Sequence, residues 1–228
     1  MFGLGRLSAM SAYGPGAVNS QAPNRLDRRK ARTRAALIAA AQRLLAEHGR
    51  TDVSIQDITE AADVGFGSFY NHFSSKDELF EAAVSLTLEQ HGALLDSVVG
   101  DLQDPAEIFA ASVRLTGRLQ RTHPQVASIF MRTGFANLTS ESGLAPHAMR
   151  DLQAAADSGR LDIGELPTAV AMVGGALLGV MHLLESHPEL DVDHVTDQLA
   201  ARLLRMFGLA CEEAQEIATR PLPVPRAT

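Results

Sequence analysis

Two short helical segments, split by Asp63-Val64-Gly65, lie between two long ones within residues 29–99, and few arrangements suit that order. Ser54-x-x-Asp57 gives the first short segment a capping-box start, and Ile55, Ile58 and Ala62 form its inward face. Residues 66–73 form the second. Ser75-x-x-Glu78 is another capping box and opens a long helix from about Lys76 to Val99. Upstream, Leu37, Ile38, Ala41, Leu44, Leu45 and His48 share one face of a helix starting near Arg29, and Gly49 suits its stop. A tight turn between short helices braced by long ones is the layout of a helix-turn-helix.

Beyond Gly100 the chain continues in helical periods at 105–121, 124–136, 146–158, 165–186 and 191–207. Pro105, Pro124 and Pro146 suit first-turn positions, Gly159 suits a stop, and His187-Pro188 marks a turn. No segment alternates like a strand and no 20–50-residue repeat is visible. The pattern predicts an all-α chain of about nine helices. Residues 1–24, rich in Gly, Ser, Ala and Pro, are expected to be a disordered extension. Residues 25–82 should form a three-helix domain and 83–208 a second helical domain. Residues 209–228 should form a tail, extended where Pro221, Pro223 and Pro225 fall.

A single cysteine among 228 residues excludes an internal disulfide framework and a Cys-rich zinc module. The first 24 residues lack the apolar run of a signal peptide, so a cytoplasmic protein is expected. The net charge of −7 argues against nucleic acid until its distribution is read. Residues 1–82 carry net +1 and the remainder net −8. Residues 25–34 alone carry Arg25, Arg28, Arg29, Lys30, Arg32 and Arg34 against one acid, Asp27. That run is either a footprint for phosphate or a solvated helix start. Cations at a helix N-terminus oppose the macrodipole, so stability alone would not place them there.

The runs Thr51–Ile58, Ala61-Ala62-Asp63-Val64-Gly65-Phe66-Gly67-Ser68-Phe69-Tyr70-Asn71-His72-Phe73 and Ser75-Lys76-Asp77-Glu78-Leu79-Phe80 resemble the DNA-binding domain of the TetR family of bacterial regulators. The resemblance covers residues 29–82; the part after it agrees only in length and helical character. It implies a homodimeric, ligand-responsive repressor of double-stranded DNA. It makes Ser68, Tyr70, His72 and Lys76 phosphate contacts and Gln56 and Asn71 readers of base edges, with Arg29, Ser54 and Gly67 completing the interface. Gly67 has no Cβ and lets a backbone lie close to another chain. Phe66 replaces the family's commoner basic or small polar residue; it meets a thymine methyl or belongs to the core. In the implied mechanism a ligand moves the helix after Lys76, and the recognition helices no longer fit grooves about 34–36 Å apart.

Within the second domain the resemblance places Phe109, Leu115, Leu119, Phe130, Met131, Met149 and Met172 on pocket-lining helices, with His182 or Arg132 as a polar orienting group. A neutral or cationic, largely apolar effector, lipid-like or drug-like, is expected. Gly175, Leu178, Gly179, Leu203 and Met206, with Leu177 and Met181, are expected at a four-helix dimer contact.

Other signals carry less. Gly65-x-Gly67 lacks the third glycine and the preceding strand of a dinucleotide fingerprint. Residues 166–184 lack charged side chains and contain Gly175-x-x-x-Gly179, which suits either a membrane-tethered regulator or a buried dimer helix; flanking basic residues are missing, which favours the latter. His182 and Glu185 share a face but His187 does not, so no metal is expected, and no cofactor. Glu212 and Glu213 beside Cys211 disfavour a reactive thiolate. No catalytic spacing emerges, so an enzyme or small-molecule carrier keeping the motif as scaffold is the alternative.

Overall fold

The structure, a computed structural model, describes residues 25–48, 53–137 and 141–223. Among them are eleven helices and no strand. The helices are α1 (Arg25–His48), α2 (Ile55–Ala61), α3 (Phe66–Phe69), α4 (Lys76–Val99), α5 (Pro105–Gly117), α6 (Leu119–Thr122), α7 (Pro124–Asn137), α8 (Ala145–Asp157), α9 (Leu166–Ser186), α10 (Val192–Met206) and α11 (Cys211–Thr219). The expectations for residues 1–24 and for Gly49 lie outside the described residues.

Local chemistry explains the N-terminal elements. Ser54 and Asp57 form a complete capping box: Asp57 N–H donates to Ser54 Oγ at 3.1 Å and Ser54 N–H to Asp57 Oδ2 at 2.9 Å. Asp63 then takes φ of 53°, left-handed backbone that aspartate tolerates better than most residues, and the chain turns into α3. The box at Ser75 is only half made. Glu78 N–H donates to Ser75 Oγ at 3.1 Å, but the Glu78 carboxylate accepts from Ser74 N–H at 2.7 Å and Ser74 Oγ at 2.6 Å.

The expected helix at 105–121 is broken. Gly117 ends α5, and Arg118 joins it to α6. Arg118 reaches α10, where it donates to Thr196 Oγ1 at 3.0 Å and pairs with Asp197. Arg114, buried one turn earlier, donates to the same Asp197 at 2.6 Å. A Cβ on Gly117 would stand 2.7 Å from Thr196 Cγ2, so glycine permits this close approach.

The expected tail is corrected as well. Residues 211–219 are helical and bury Ala214, Ile217 and Ala218. Arg160 pairs with Asp104 at 2.9 Å and Glu213 at 2.7 Å, and Arg220 with Glu107 at 2.7 Å, fastening α11 to the rest of the domain.

One apolar cluster joins α5, α8, α9, α10 and α11 around Phe109, Leu152, Leu204 and Phe207. The other starts in the first three helices at Leu37, Ile58 and Phe69. It runs through Leu88 of α4 to Phe130 of α7 and Met181 of α9, so a single apolar body spans the two expected domains. The helix α9 is long and apolar enough to cross a membrane. One face of it, including Val170, Val173, Leu177 and Met181, is buried in the bundle.

Candidate nucleic-acid interface and effector cavity

Arg29 is exposed with the rest of the basic run that opens α1. Further along that helix, the Arg34 guanidinium sits 4.9 Å from the centroid of Phe73, next to α3. Burial of the His72 ring, then the charges of Lys30 and Arg34, hold this imidazole below its ordinary range. Phe69 and Phe73 are buried between α3 and the core, whereas Phe66, Tyr70 and Asn71 are exposed and Ser68 is half-buried. Phe66 is thus not core. A Cβ on Gly67 would meet nothing of this chain within 4 Å. Gln56 is exposed, with Nε2 donating to Glu60 at 3.0 Å. Ser54 is committed to its cap. Lys76 Nζ donates to the Val53 carbonyl at 3.0 Å, strapping the first turn of α4 to the entry of α2.

A cavity of about 90 Å³ lies in the second domain, lined by α4, α5, α7, α8 and α9. Phe109, Val113, Phe130, Val170 and Leu177 form much of its wall. Its polar groups are Asp96, His147, Asp151, Ser112 and Thr116. Asp96 Oδ2 and His147 Nδ1 are 2.9 Å apart, and Arg150 pairs with both Asp96, at 2.6 Å, and Asp151, at 2.7 Å. Hydrogen bonds from Arg150 hold the Asp96 carboxyl below its ordinary range, whereas burial pushes Asp151 up. Ser112 Oγ is buried without a hydrogen-bond partner.

Of the expected pocket residues, Phe109 and Phe130 line the cavity. The others are corrected. Leu119 is sealed in the N-terminal apolar cluster, against which Met131 also packs. Met149 packs on the other cluster, and Leu115 is half-buried away from the cavity. Met172 and His182 are exposed, as is Arg132, because their helical phases point away from the bundle. The polar end was missed. Its sequence signal is the i, i+4 pair His147 and Asp151 on a helix that otherwise buries Leu152 and Ala155.

The expected dimer residues divide. Gly179 and Met206 are exposed and Gly175 is half-exposed; Met172 and Leu183 extend the same bare apolar surface. Leu178 and Leu203 are corrected to the chain's own core. Leu178 packs so closely on Gly134 that a Cβ there would stand 2.6 Å from its Cδ2, and Leu203 belongs to the C-terminal cluster. Leu177 and Met181 also point inward. Among the described residues no three His, Cys, Asp or Glu converge as metal ligands; His182 and Glu185 are 3.5 Å apart, and His187 turns to Glu189 at 3.0 Å. Cys211 is exposed.

Two family profiles match this chain: "Bacterial regulatory proteins, tetR family" over residues 37–83, and "Tetracyclin repressor-like, C-terminal domain" over 104–220. The crystal structure of RolR in complex with resorcinol is 34% identical, covers 87% of this chain and 99% of that one, and has a TM-score of 0.66. RolR without ligand is 36% identical, covering 84% and 98%, with a TM-score of 0.72. The transcriptional repressor AcnR of Corynebacterium glutamicum is 30% identical over 99 residues, 40% of this chain and 53% of that protein. An uncharacterised helix-turn-helix regulator of Mycobacterium tuberculosis is 27% identical over 97 residues, 42% of this chain and 48% of that protein. The chain thus spans about half the length of the curated relatives it matches. With both halves of the architecture matched in order, the chain belongs to the TetR family of bacterial transcriptional regulators.

Proposed function

We propose that this chain is a cytoplasmic, homodimeric DNA-binding repressor released from a palindromic operator by a small hydroxylated ring compound. One observation carries the reading. The helix α4 supplies Leu88, Leu95 and Asp96 to the cavity wall, and its first turn is strapped to the helix-turn-helix by Lys76. Whatever fills the cavity bears on the helix that Lys76 straps to the entry of α2.

The cavity sets the class of effector. An apolar cavity of about 150 Å³ holds benzene. At about 90 Å³ this one suits a single ring rather than a long chain, and a ring that enters it bears on Leu88, Leu95 and Asp96 of α4. A lipid-like effector, as the apolar helices alone suggest, does not suit that volume. Asp96 and Asp151 disfavour an anionic ligand and favour one that donates hydrogen bonds. Ser112 Oγ offers a second polar anchor. A dihydroxybenzene satisfies both demands, and RolR binds one, resorcinol. A near-complete switch requires about 5.5 kcal/mol of preference for the DNA-released state.

The test pairs thermal shift with gel mobility shift on a selected DNA fragment, using resorcinol, toluene and benzoate. Resorcinol should stabilise the protein and release DNA, toluene should act weakly, and benzoate should do neither. Tight binding of benzoate with release of DNA would overturn the effector class. Failure to retard any genomic fragment would overturn the regulator itself.

A further inference from the structure

We propose that Phe66 reads the 5-methyl group of thymine in the major groove, making operator recognition depend on an apolar contact. The proposal rests on the DNA-binding reading above and adds to it the chemistry of one base contact.

Phe66 leads α3 and is 54% exposed; Tyr70, one turn later on the same face, is 57% exposed. Their rings meet edge to face at 6.1 Å and 69°, and Tyr70 meets buried Phe69 at 5.3 Å and 79°. The Phe66 ring is therefore braced from beneath by an aromatic ladder rooted in the core, yet its outer surface is uncovered. Nothing in the fold needs a phenyl group there. Next to Phe66, Gly67 presents bare backbone, and a Cβ on it would meet nothing within 4 Å. The patch is thus two rings in contact beside uncovered backbone, which lets a base edge come close.

The occupant follows from the surroundings. Lys30 and Arg34 stand close enough to lower the affinity of His72, beside Tyr70, for a proton, and the exposed basic run of α1 continues from them. An apolar patch set against cations matches a polyanion that carries an apolar group. Duplex DNA is such a partner: phosphates flank the major groove, and the thymine methyl is the apolar group exposed within it. A polar side chain at position 66 would seek amide and carbonyl edges; a phenyl ring can only favour the methyl.

The experiment uses the full chain. Duplexes are selected from a random pool, and each thymine of the enriched site is replaced in turn by deoxyuridine, which lacks only the methyl. At one thymine per half-site the wild type should lose about fourfold in affinity, the effect of one methyl group buried. Phe66→Ala should bind the thymine site about fourfold more weakly and be indifferent to deoxyuridine, while Phe66→Leu should keep the dependence. A wild type that tolerates deoxyuridine at every position overturns the proposal, as does Phe66→Ala that remains sensitive to it. Failure to enrich any sequence overturns the DNA-binding reading and this proposal with it.

Discussion

Gly92 of α4 lies directly against the His147 imidazole of α8: a Cβ at position 92 would collide with the ring. His147 is held on its other side by Asp96 at 2.9 Å. Gly92→Ala should push the ring off Asp96, destabilising the fold by about 1–3 kcal/mol of overpacking and weakening effector binding. Denaturant midpoints and effector titration check both. An unchanged midpoint would mean that α8 withdraws at no cost.

On DNA, Asn71 and Lys76 should fail differently. Asn71 is exposed and free to meet a base edge, so Asn71→Ala should relax preference at one base pair by about 1–3 kcal/mol. Lys76→Ala should weaken every sequence and reduce the salt slope by about one unit. Competition against random DNA across a salt series separates these outcomes; equal losses on specific and random DNA in both variants would undo the assignment.

The bare face of α9 yields a clean test of pairing. A Cβ on Gly179 would meet nothing within 4 Å in the single chain, so Gly179→Leu leaves the fold intact. Helix propensity improves by somewhat under about 1 kcal/mol. The variant should therefore be a well-folded monomer where the wild type sediments as a dimer. A dimeric Gly179→Leu would place the contact elsewhere.

His91 should give the fold an acid sensitivity. Burial, then His123 and His147, hold it at about 4 against an ordinary 6.5, so it folds as the neutral ring. Its folded value is lowered, and the unfolded chain takes up the proton first as pH falls. Stability should thus decline from about pH 6.5 to about pH 4, by about 3 kcal/mol in all. His91→Phe removes the titrating group together with its unpartnered Nε2 and should flatten this segment of the stability curve. A wild-type curve already flat there would contradict the burial of His91.

What the sequence made legible was local. Ser54, Asp57 and Ser75 announce helix starts within four residues of themselves, and the apolar spacing of α1 needs no partner to be recognised. The polar end of the cavity needs Asp96 beside His147, 51 residues later, and no local pattern brings α4 onto α8. The same holds for α11. Ala214, Ile217 and Ala218 are its few inward residues, and much of its anchorage is ionic, from Arg160 and Arg220 to acids 53 and 113 residues away. Leu178 and Gly179 are adjacent on one apolar helix, and which of them faces inward depends on where α7 leaves room at Gly134.

The two faces of α9 have a consequence for how a cell would sense the effector. Val173 and Leu177 border the cavity, while Gly175 and Gly179 lie on the uncovered side of the same rigid helix. In a pair of chains joined across that side, one rigid helix from each subunit would stand between its own cavity and the partner. Filling one cavity would then bear on the other, and the occupancy curve would depart from a simple hyperbola.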